Sequence, residues 1–201
     1  MLNKANLLCS EFTSNVKARS GLCCVVVEPD KTVAADGSIL AVVSRPKKEN
    51  QPLPEIPEGL KEVADRFFLR QDVIKRIRLP KFNKNHKYLE VVIPCSNGKD
   101  NVIVLSTQEM LGASNLQEMV RDDDVSFPDY SQVIPKEEAA FRVKFNIDYI
   151  EKICRLMKSV AKEGNNIVEI SYYKPMSPVK FKTVNPDVQQ AEVYLMPIEE
   201  S

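Results

Sequence analysis

One pattern of periodicity occurs three times in this sequence, and the repetition limits the folds that the chain can adopt. Each copy has a helical segment followed by short runs of β-branched residues, which are typical of strands. In the second and third copies a strand-like run also precedes the helix. Helices that alternate with groups of short strands favour an α+β fold, in which helices cover one face of antiparallel sheets.

The first copy is followed by a proline-rich connector. The pattern predicts a helix over residues 2–12 and strands over residues 22–27, 32–35 and 39–43. Because the helical spacing begins almost at Met1, we expect no strand before this helix. Residues 44–59 are rich in Pro and Lys, and Pro removes a backbone donor, so we interpret this stretch as a connector.

The second and third copies have the fuller pattern. The second predicts a strand over residues 66–69, a basic helix over 71–78 that Pro80 ends, and strands over 88–93, 101–106 and 116–120. The third predicts a strand over residues 141–145, a helix from the capping residue Asn146 to residue 162, and strands over 167–172, 179–183 and 193–198. Gly164 ends the third helix, as glycine commonly does at this position.

Charge is segregated along the chain although the formal net charge is zero. Residues 70–87 are strongly basic, whereas residues 118–138 are strongly acidic. In the third helix an apolar stripe faces one way and cations face the other. A basic face can collect phosphates, but a solvated helix surface explains the same charges, and both interpretations stay open.

Composition excludes several classes of protein. With 43% hydrophobic and 28% charged residues, the chain has the composition of an ordinary soluble globular protein. It has no apolar run of membrane-spanning length and no signal-peptide pattern, so we expect a cytoplasmic protein. The five cysteines form no C-x-x-C pair, and their odd number favours buried free thiols over a disulfide framework.

Motifs for enzymatic chemistry are weak. The only histidine, His86, lies in a polar basic loop, and a pair of His86 with Cys95 would lack a third orienting group. The acidic run at residues 122–124 lacks the alternating spacing of a calcium loop, and no glycine-rich phosphate loop occurs. We therefore expect no catalytic residues, no metal site and no cofactor, with a small cysteine or metal hydrolase as the remote alternative.

Three motifs, in this order, resemble those of the bacterial DNA sliding clamp, the beta subunit of the replicative polymerase. They are V-A-A-D-G-S-I-L at residues 33–40, F-P-D-Y-S-Q-V-I-P at residues 127–135, and A-E-V-Y-L-M-P-I at residues 191–198. The resemblance is that of a shortened or divergent member. It implies a DNA-clamp-like α+β fold built from half-domains of one strand, one helix and further strands. Residues 1–135 would form one domain of two half-repeats, 1–57 and 58–135, and residues 136–201 a third half-repeat.

The resemblance also implies two working surfaces. Cations that face outward from the second and third helices would contact duplex DNA without reading its sequence, namely Arg70, Lys75, Arg76, Arg78, Lys152, Arg155 and Lys162. A pocket for short peptides of polymerases and other clamp-binding proteins would be lined by Val26, Ala35, Gly37, Leu40, Pro128, Val133, Met176, Pro178, Tyr194 and Met196. The motifs depart from the family at Ser38, Ile39, Gln132 and Tyr194.

The resemblance therefore predicts a processivity factor, which tethers a polymerase or other replication proteins to duplex DNA and forms a homo-oligomer. An alternative is a clamp-derived interaction module, from a phage or mobile element, that does not encircle DNA. A ring of twelve half-repeats would take four chains with three half-repeats each.

Overall fold

The computed structural model describes residues 1–46, 56, 58–77, 91–96, 101–108, 113–120, 125–161, 166–184, 186 and 189–198, with the backbone alone at 91, 101–108 and 113–120. The chain divides into two compact units, Met1–Ile134 and Pro135–Ser201. The interpretation of residues 1–57, 58–135 and 136–201 as three half-repeats stays a prediction.

The first unit begins with a short helix and four strands. These are β1 (Leu2–Asn3), α1 (Lys4–Leu8), a 3-10 turn (Cys9–Phe12), β2 (Cys24–Val27), β3 (Lys31–Ala35) and β4 (Leu40–Ser44). Asn3 and Asn6 cap the start of α1, because the side-chain oxygen of each accepts the backbone N–H of the other at 3.1 Å. The expectation that no strand precedes the helix was wrong, since Leu2 pairs with Val92 and Asn3 with Val91.

After one further short strand, the rest of this unit repeats the order of strand, helix and three strands. It contains β5 (Lys61–Glu62), β6 (Phe67–Arg70), α2 (Gln71–Ile74), β7 (Val91–Ser96), β8 (Asn101–Gln108) and β9 (Ala113–Val120). α2 is shorter than the helix predicted over residues 71–78. The N–H groups of Arg76 and Ile77 donate to the carbonyl groups three residues earlier, both at 3.0 Å, and such bonds tighten the chain into a final turn.

In the first unit, the strand before each helix pairs with a strand that follows the other helix. We call the strand that directly precedes a helix its leading strand, and the three antiparallel strands that follow the helix its meander. The meanders are β2–β3–β4 and β7–β8–β9. The leading strand β1 pairs with β7, and the leading strand β6 pairs with β2. Each leading strand therefore lies along the edge of the meander that follows the other helix, and β5 pairs with the remaining part of the β7 edge, at Cys95 and Ser96.

The sheet β4–β3–β2–β6 has an apolar cluster on each face. The first cluster contains Leu2, Cys9, Val25, Val27, Ala34, Val63, Phe67, Leu69, Ile74 and Val92, with side chains from both helices packed against it. The second cluster contains Val26, Val33 and Phe127, with Leu22, Ala35, Leu40, Phe68 and Tyr130 around them. The alternation of side chains along a strand produces these two faces.

The second unit contains one long helix and one meander. These elements are α3 (Ile147–Val160), β10 (Val168–Ser171), β11 (Val179–Thr183) and β12 (Glu192–Leu195). The Asn146 side chain caps α3 by accepting the N–H of Asp148 at 2.8 Å, as the sequence predicts. The core of the unit consists of Ile153, Met157, Val179, Phe181 and Leu195. β11 coincides with the strand predicted over residues 179–183.

The strand predicted over residues 141–145 does not form. The Lys144 carbonyl accepts the N–H of Ile198 at 2.9 Å, and the Phe141 ring lies 5.4 Å from the Tyr172 ring. A strand needs a neighbouring strand for its N–H and C=O groups. None of the strands that the structure describes pairs with this segment.

The predicted fold class is confirmed. Helices pack on one face of antiparallel sheets in both units, and all the strand pairs described are antiparallel. The architecture is therefore α+β.

Candidate DNA and peptide surfaces

The cations around α2 form one exposed group. The Asp72 carboxylate lies between two of them, with Arg70 Nε at 3.7 Å from Oδ1 and an Arg76 terminal nitrogen at 3.5 Å from Oδ2. Lys75 is exposed on the turn that follows the helix. Residues 70–77 carry three cations and one carboxylate, a net charge of +2. The fourth cation predicted here, Arg78, lies outside the described residues.

The cations of α3 are arranged in a similar way. Arg155 pairs with Glu151 one turn earlier at 2.7 Å, and the Lys152 ammonium lies 5.3 Å from the centre of the Tyr149 ring. The helix carries three cations and two carboxylates, a net charge of +1. Lys158, which the sequence analysis missed, is the third cation, and its place in the last turn was the available signal.

Lys162, the remaining cation predicted on this helix, lies outside the described residues. Exposed ion pairs such as Arg155 with Glu151 contribute only about 0–1 kcal/mol, so the carboxylates lower the local positive charge without holding the arginines rigidly. The side chains of Arg76 and Arg155 can therefore turn toward a phosphate.

Three of the predicted pocket residues in the first unit lie together in the second cluster of its sheet. Val26, Ala35 and Leu40 pack around Phe127, and Val26 is fully buried there. Pro128 is exposed directly after Phe127. Val26 is therefore covered by the residues around it. The exposed part of this surface is formed by Ala35, Leu40 and Pro128.

The turn that carries Gly37 is held by Asp36. The Asp36 carboxylate accepts the backbone N–H groups of Ser38 at 2.7 Å and Ile39 at 3.0 Å, and these bonds lower the pKa of Asp36. Gly37 has a φ of +103°, a conformation that glycine adopts without strain. The predicted pocket residue Val133, by contrast, is 67% exposed and is not part of the second cluster.

We call residues 127–135 the Phe127 segment. The sequence analysis missed the polar contacts that hold this segment. The Tyr130 hydroxyl donates to Glu28 Oε2 at 2.9 Å. Burial raises the pKa of Tyr130 most, and the hydrogen bond to the Glu28 carboxylate raises it further. Lys31 lies 3.5 Å from the same Glu28 oxygen, and Arg66 lies 3.8 Å from the other. Tyr130 stands within the F-P-D-Y motif, but its partner is 102 residues away in sequence.

The other four predicted pocket residues, Met176, Pro178, Tyr194 and Met196, are exposed in the second unit. Met176 has a φ of +62° and is half exposed. Lys180 connects to Tyr194 in two ways: its ammonium lies 5.8 Å from the ring centre, and it pairs at 2.8 Å with Glu192, which accepts the Tyr194 hydroxyl at 3.2 Å. The pairing raises the pKa of Lys180 and lowers that of Glu192.

Two buried thiols have environments unlike those of nucleophilic cysteines. Burial raises the pKa of Cys9 and that of Cys95, which favours the unreactive protonated thiol. In the described part of the chain, no group of three or more His, Cys, Asp or Glu side chains is placed to hold a metal ion. His86 and the acidic run at residues 122–124 lie outside the described residues. Cys154 is exposed and Cys23 is only partly buried, so the prediction of buried thiols holds for Cys9, Cys24 and Cys95 alone.

None of the described helices is long and apolar enough to cross a membrane.

The structure is similar to those of bacterial DNA sliding clamps. The DNA polymerase sliding clamp of Bacillus subtilis aligns with 96% of this chain and 46% of its own, with a TM-score of 0.61 and 17% sequence identity. The DNA polymerase III beta subunit of Thermotoga maritima aligns with 96% of this chain and 47% of its own, with a TM-score of 0.59 and 14% sequence identity. The sliding clamp of Pseudomonas aeruginosa aligns with 96% of this chain and 48% of its own, with a TM-score of 0.57 and 13% sequence identity.

This chain spans about half the length of those clamps. No protein-family model matches the sequence, and comparison with curated proteins gives no match. The resemblance that the three motifs predict is confirmed in the fold, which is DNA-clamp-like.

Proposed function

We propose that this chain is a processivity factor of the sliding-clamp kind, which tethers a polymerase or other replication proteins to duplex DNA. It acts by binding alone, as a cytoplasmic homo-oligomer, and catalyses no reaction. The observation that supports this proposal is that a leading segment, a helix and a meander follow in the same order around α2 and around α3, with exposed cations directly beside α2 and on α3.

Cations on equivalent helices suit a protein that must hold DNA and still move along it. Contacts to phosphates are independent of base sequence, whereas contacts to base edges would stop the protein at particular sites. The net positive charges of residues 70–77 and of α3 are small, so the affinity expected for one chain is low. Assembly of several chains would multiply these contacts without adding specificity.

A charge reversal tests the DNA surface. The double variant Arg76→Glu/Arg155→Glu should weaken binding to duplex DNA and flatten its salt dependence, because log K falls by roughly 0.9 per phosphate contact for each tenfold rise in salt. Fluorescence anisotropy of a labelled duplex at several salt concentrations measures both. The matched control Lys17→Glu/Arg142→Glu reverses two exposed cations outside these helices and should lose less affinity. Equal losses in the two variants would contradict the proposed DNA surface.

The ion pairs of the two helices favour a second candidate function. Since Asp72 and Glu151 lower the charge around Arg76 and Arg155, the chain could instead be a clamp-derived interaction module that binds replication proteins without encircling DNA. This candidate requires the peptide surface but no DNA surface.

Peptide binding tests that surface independently of DNA. A peptide with Gln followed by Leu and Phe anchors should bind with a Kd near 1 μM, or about −8 kcal/mol, by calorimetry. Met196→Lys should abolish binding without unfolding, because Met196 is 60% exposed. Tyr194→Val should strengthen binding if the exposed Tyr194 ring occupies space that the peptide would otherwise fill. Absence of binding heat from both the native protein and the Tyr194→Val variant would count against the peptide surface.

A further inference from the structure

A short loop holds Arg19 beside the part of the peptide surface that lies in the first unit. The N–H of Ser14 donates to the Leu22 carbonyl at 2.8 Å and closes residues 14–22 into this loop. Inside the loop the N–H of Arg19 donates to the Val16 carbonyl at 2.9 Å, and the Arg19 carbonyl accepts the N–H of Leu22 at 2.8 Å. Both backbone groups of Arg19 are therefore bonded, so its side chain extends from a fixed point.

The loop packs against the segments that form this surface. Leu22 contacts the second cluster of the sheet, against which Ala35 and Leu40 also pack. Gly21 lies against the backbone of Ser126, directly before the Phe127 segment. The loop therefore borders the predicted pocket residues of this unit.

The side chain of Arg19 reaches from the loop to the turn that carries Gly37. One terminal nitrogen, Nη1, donates to the Asp36 carbonyl at 3.3 Å. The same nitrogen would lie 2.9 Å from a Cβ atom on Gly37, so the guanidinium rests directly against this glycine. Since Gly37, Ala35 and Leu40 are all predicted pocket residues, Arg19 places a cation at the margin of the peptide surface. The sequence analysis did not include it.

The bond from Arg19 to the Asp36 carbonyl leaves the guanidinium able to bind a partner. At 3.3 Å it is longer than the usual range of about 2.7–3.2 Å for N–H···O bonds, and its acceptor carries no charge. A guanidinium has several N–H donors, so further donors remain. In the described part of the chain no carboxylate forms an ion pair with Arg19, whose side chain is exposed. Arg19 can therefore exchange this bond for a stronger one.

The carboxylates of this surface are held by their own turns. The pKa of Asp36 is lowered first by N–H groups of its turn and only last by the charge of Arg19. Asp129 accepts the Ser131 hydroxyl at 2.6 Å and the Gln132 side-chain amide at 3.1 Å. The positive charge of Arg19 is therefore available to a carboxylate from outside the chain.

We propose that Arg19 selects the partner of the peptide surface by binding a carboxylate that flanks the apolar anchors of an acidic peptide. This inference rests on the peptide binding proposed above. An arginine and a carboxylate can form two parallel N–H···O bonds, which are stronger than the present bond to a neutral carbonyl. The anchors would lie on the apolar side chains beside Gly37, and the acid at their margin. A peptide with a cation at the same position would meet a like charge.

Peptides that differ only in charge test this inference with the full chain. The peptide with Gln, Leu and Phe anchors is made with an added Glu directly before, between or directly after the anchors, and each version is matched by one with Gln at the added position. By calorimetry at low salt, the best-placed Glu peptide should bind about three- to tenfold more tightly than its Gln match. The preference should fade as salt is raised, because exposed charges are screened.

Substitutions of Arg19 show whether this residue reads the charge. Arg19→Glu should reverse the preference, and Arg19→Lys should keep part of it, because lysine retains the charge but not the planar fork. Affinity for the Gln peptide should change by no more than about twofold in either variant, since its anchors bind apolar side chains. The matched control Lys17→Glu reverses an exposed cation two residues earlier and should keep the native preference. Circular dichroism checks that the variants are folded.

Two results would overturn the inference and leave the peptide surface in place. One is a native protein that binds the Glu and Gln peptides equally, and the other is a preference that survives Arg19→Glu or disappears equally in Lys17→Glu. If Arg19→Glu weakens binding of all peptides but keeps the ratio between Glu and Gln, Arg19 only holds the turn at Gly37, and the inference is wrong. If the native protein binds none of the peptides, the proposed peptide surface fails and the inference fails with it.

Discussion

At the scale of single residues, Gly21 decides how closely the Phe127 segment approaches the sheet. A Cβ atom on Gly21 would overlap the backbone carbonyl of Ser126, and backbone cannot move aside as the end of a side chain can. Phe127 follows directly and fills the cluster around Val26. The absence of a side chain at Gly21 thus allows the segment that carries the F-P-D-Y motif to pack.

We therefore expect Gly21→Ala to destabilise the first unit by about 1–3 kcal/mol, the usual effect of overpacking. Denaturant unfolding measures this value. The neighbouring substitution Ser20→Ala, at an exposed position, should change stability by no more than about 0.5 kcal/mol. Equal effects of the two substitutions would show that the contact with Ser126 does not matter.

Two carboxylates that hold turns make the stability dependent on pH. Hydrogen bonds from the Ser131 and Gln132 side chains lower the pKa of Asp129, and backbone N–H groups lower that of Asp36. An aspartate in an unfolded chain has a pKa of about 3.9. Because the folded values are lower, the stabilisation is complete above roughly pH 5 and is lost as the pH falls through the folded pKa.

The melting temperature of the native protein should accordingly fall between pH 5 and pH 2. The double variant Asp36→Asn/Asp129→Asn should be less stable than the native protein at pH 7, and the difference should shrink at acidic pH. Thermal melts at several pH values measure this. A difference that stays constant with pH would mean that these carboxylates do not provide the dependence.

At the scale of elements, α3 and α2 differ in what holds them. α3 has 14 residues, a capped start and a regular apolar stripe, so its length follows from its own sequence. α2 has four residues and is held mainly through Ile74 in the core of the first unit. Helices this short are marginal without such packing.

The stripe of α3 gives a matched pair of substitutions at adjacent positions. Met157 is 2% exposed against the sheet, and Leu156 is 45% exposed. Met157→Ala should destabilise the second unit by about 2–5 kcal/mol through lost burial and a cavity, and Leu156→Ala by much less. Chemical denaturation followed by circular dichroism compares them. A larger effect at Leu156 would imply that this residue is covered in the assembled protein.

At the scale of the whole molecule, each unit has its own core. Among the described residues, the core clusters of the first unit and that of the second share no residue. Units with separate cores can unfold in separate steps, in which case a single free energy of unfolding does not describe the chain.

Hydrogen exchange should therefore show two groups of amides that respond to different substitutions. Met157→Ala should speed exchange in residues 135–201, and Gly21→Ala in residues 1–134. Mass spectrometry of peptic fragments resolves the two regions. If either substitution accelerates exchange equally in both regions, the units unfold as one.

The sequence alone determined most of the element types and their order. Periodicity is a local property, so it located α3 with its Asn146 cap, the strand at residues 179–183, and the outward cations. Motifs whose residues are close together in the chain, such as residues 127–135, were visible for the same reason. The α+β class followed from these local patterns.

Only the tertiary structure decided which strands pair and which side chains meet. The exchange of β1 and β6 joins residues far apart in the chain, and no local pattern names a strand's partner. The bond from Tyr130 to Glu28 spans 102 residues and could not be predicted. For the same reason the alternation at residues 141–145 predicted a strand that is absent, because a strand exists only where another strand accepts its hydrogen bonds.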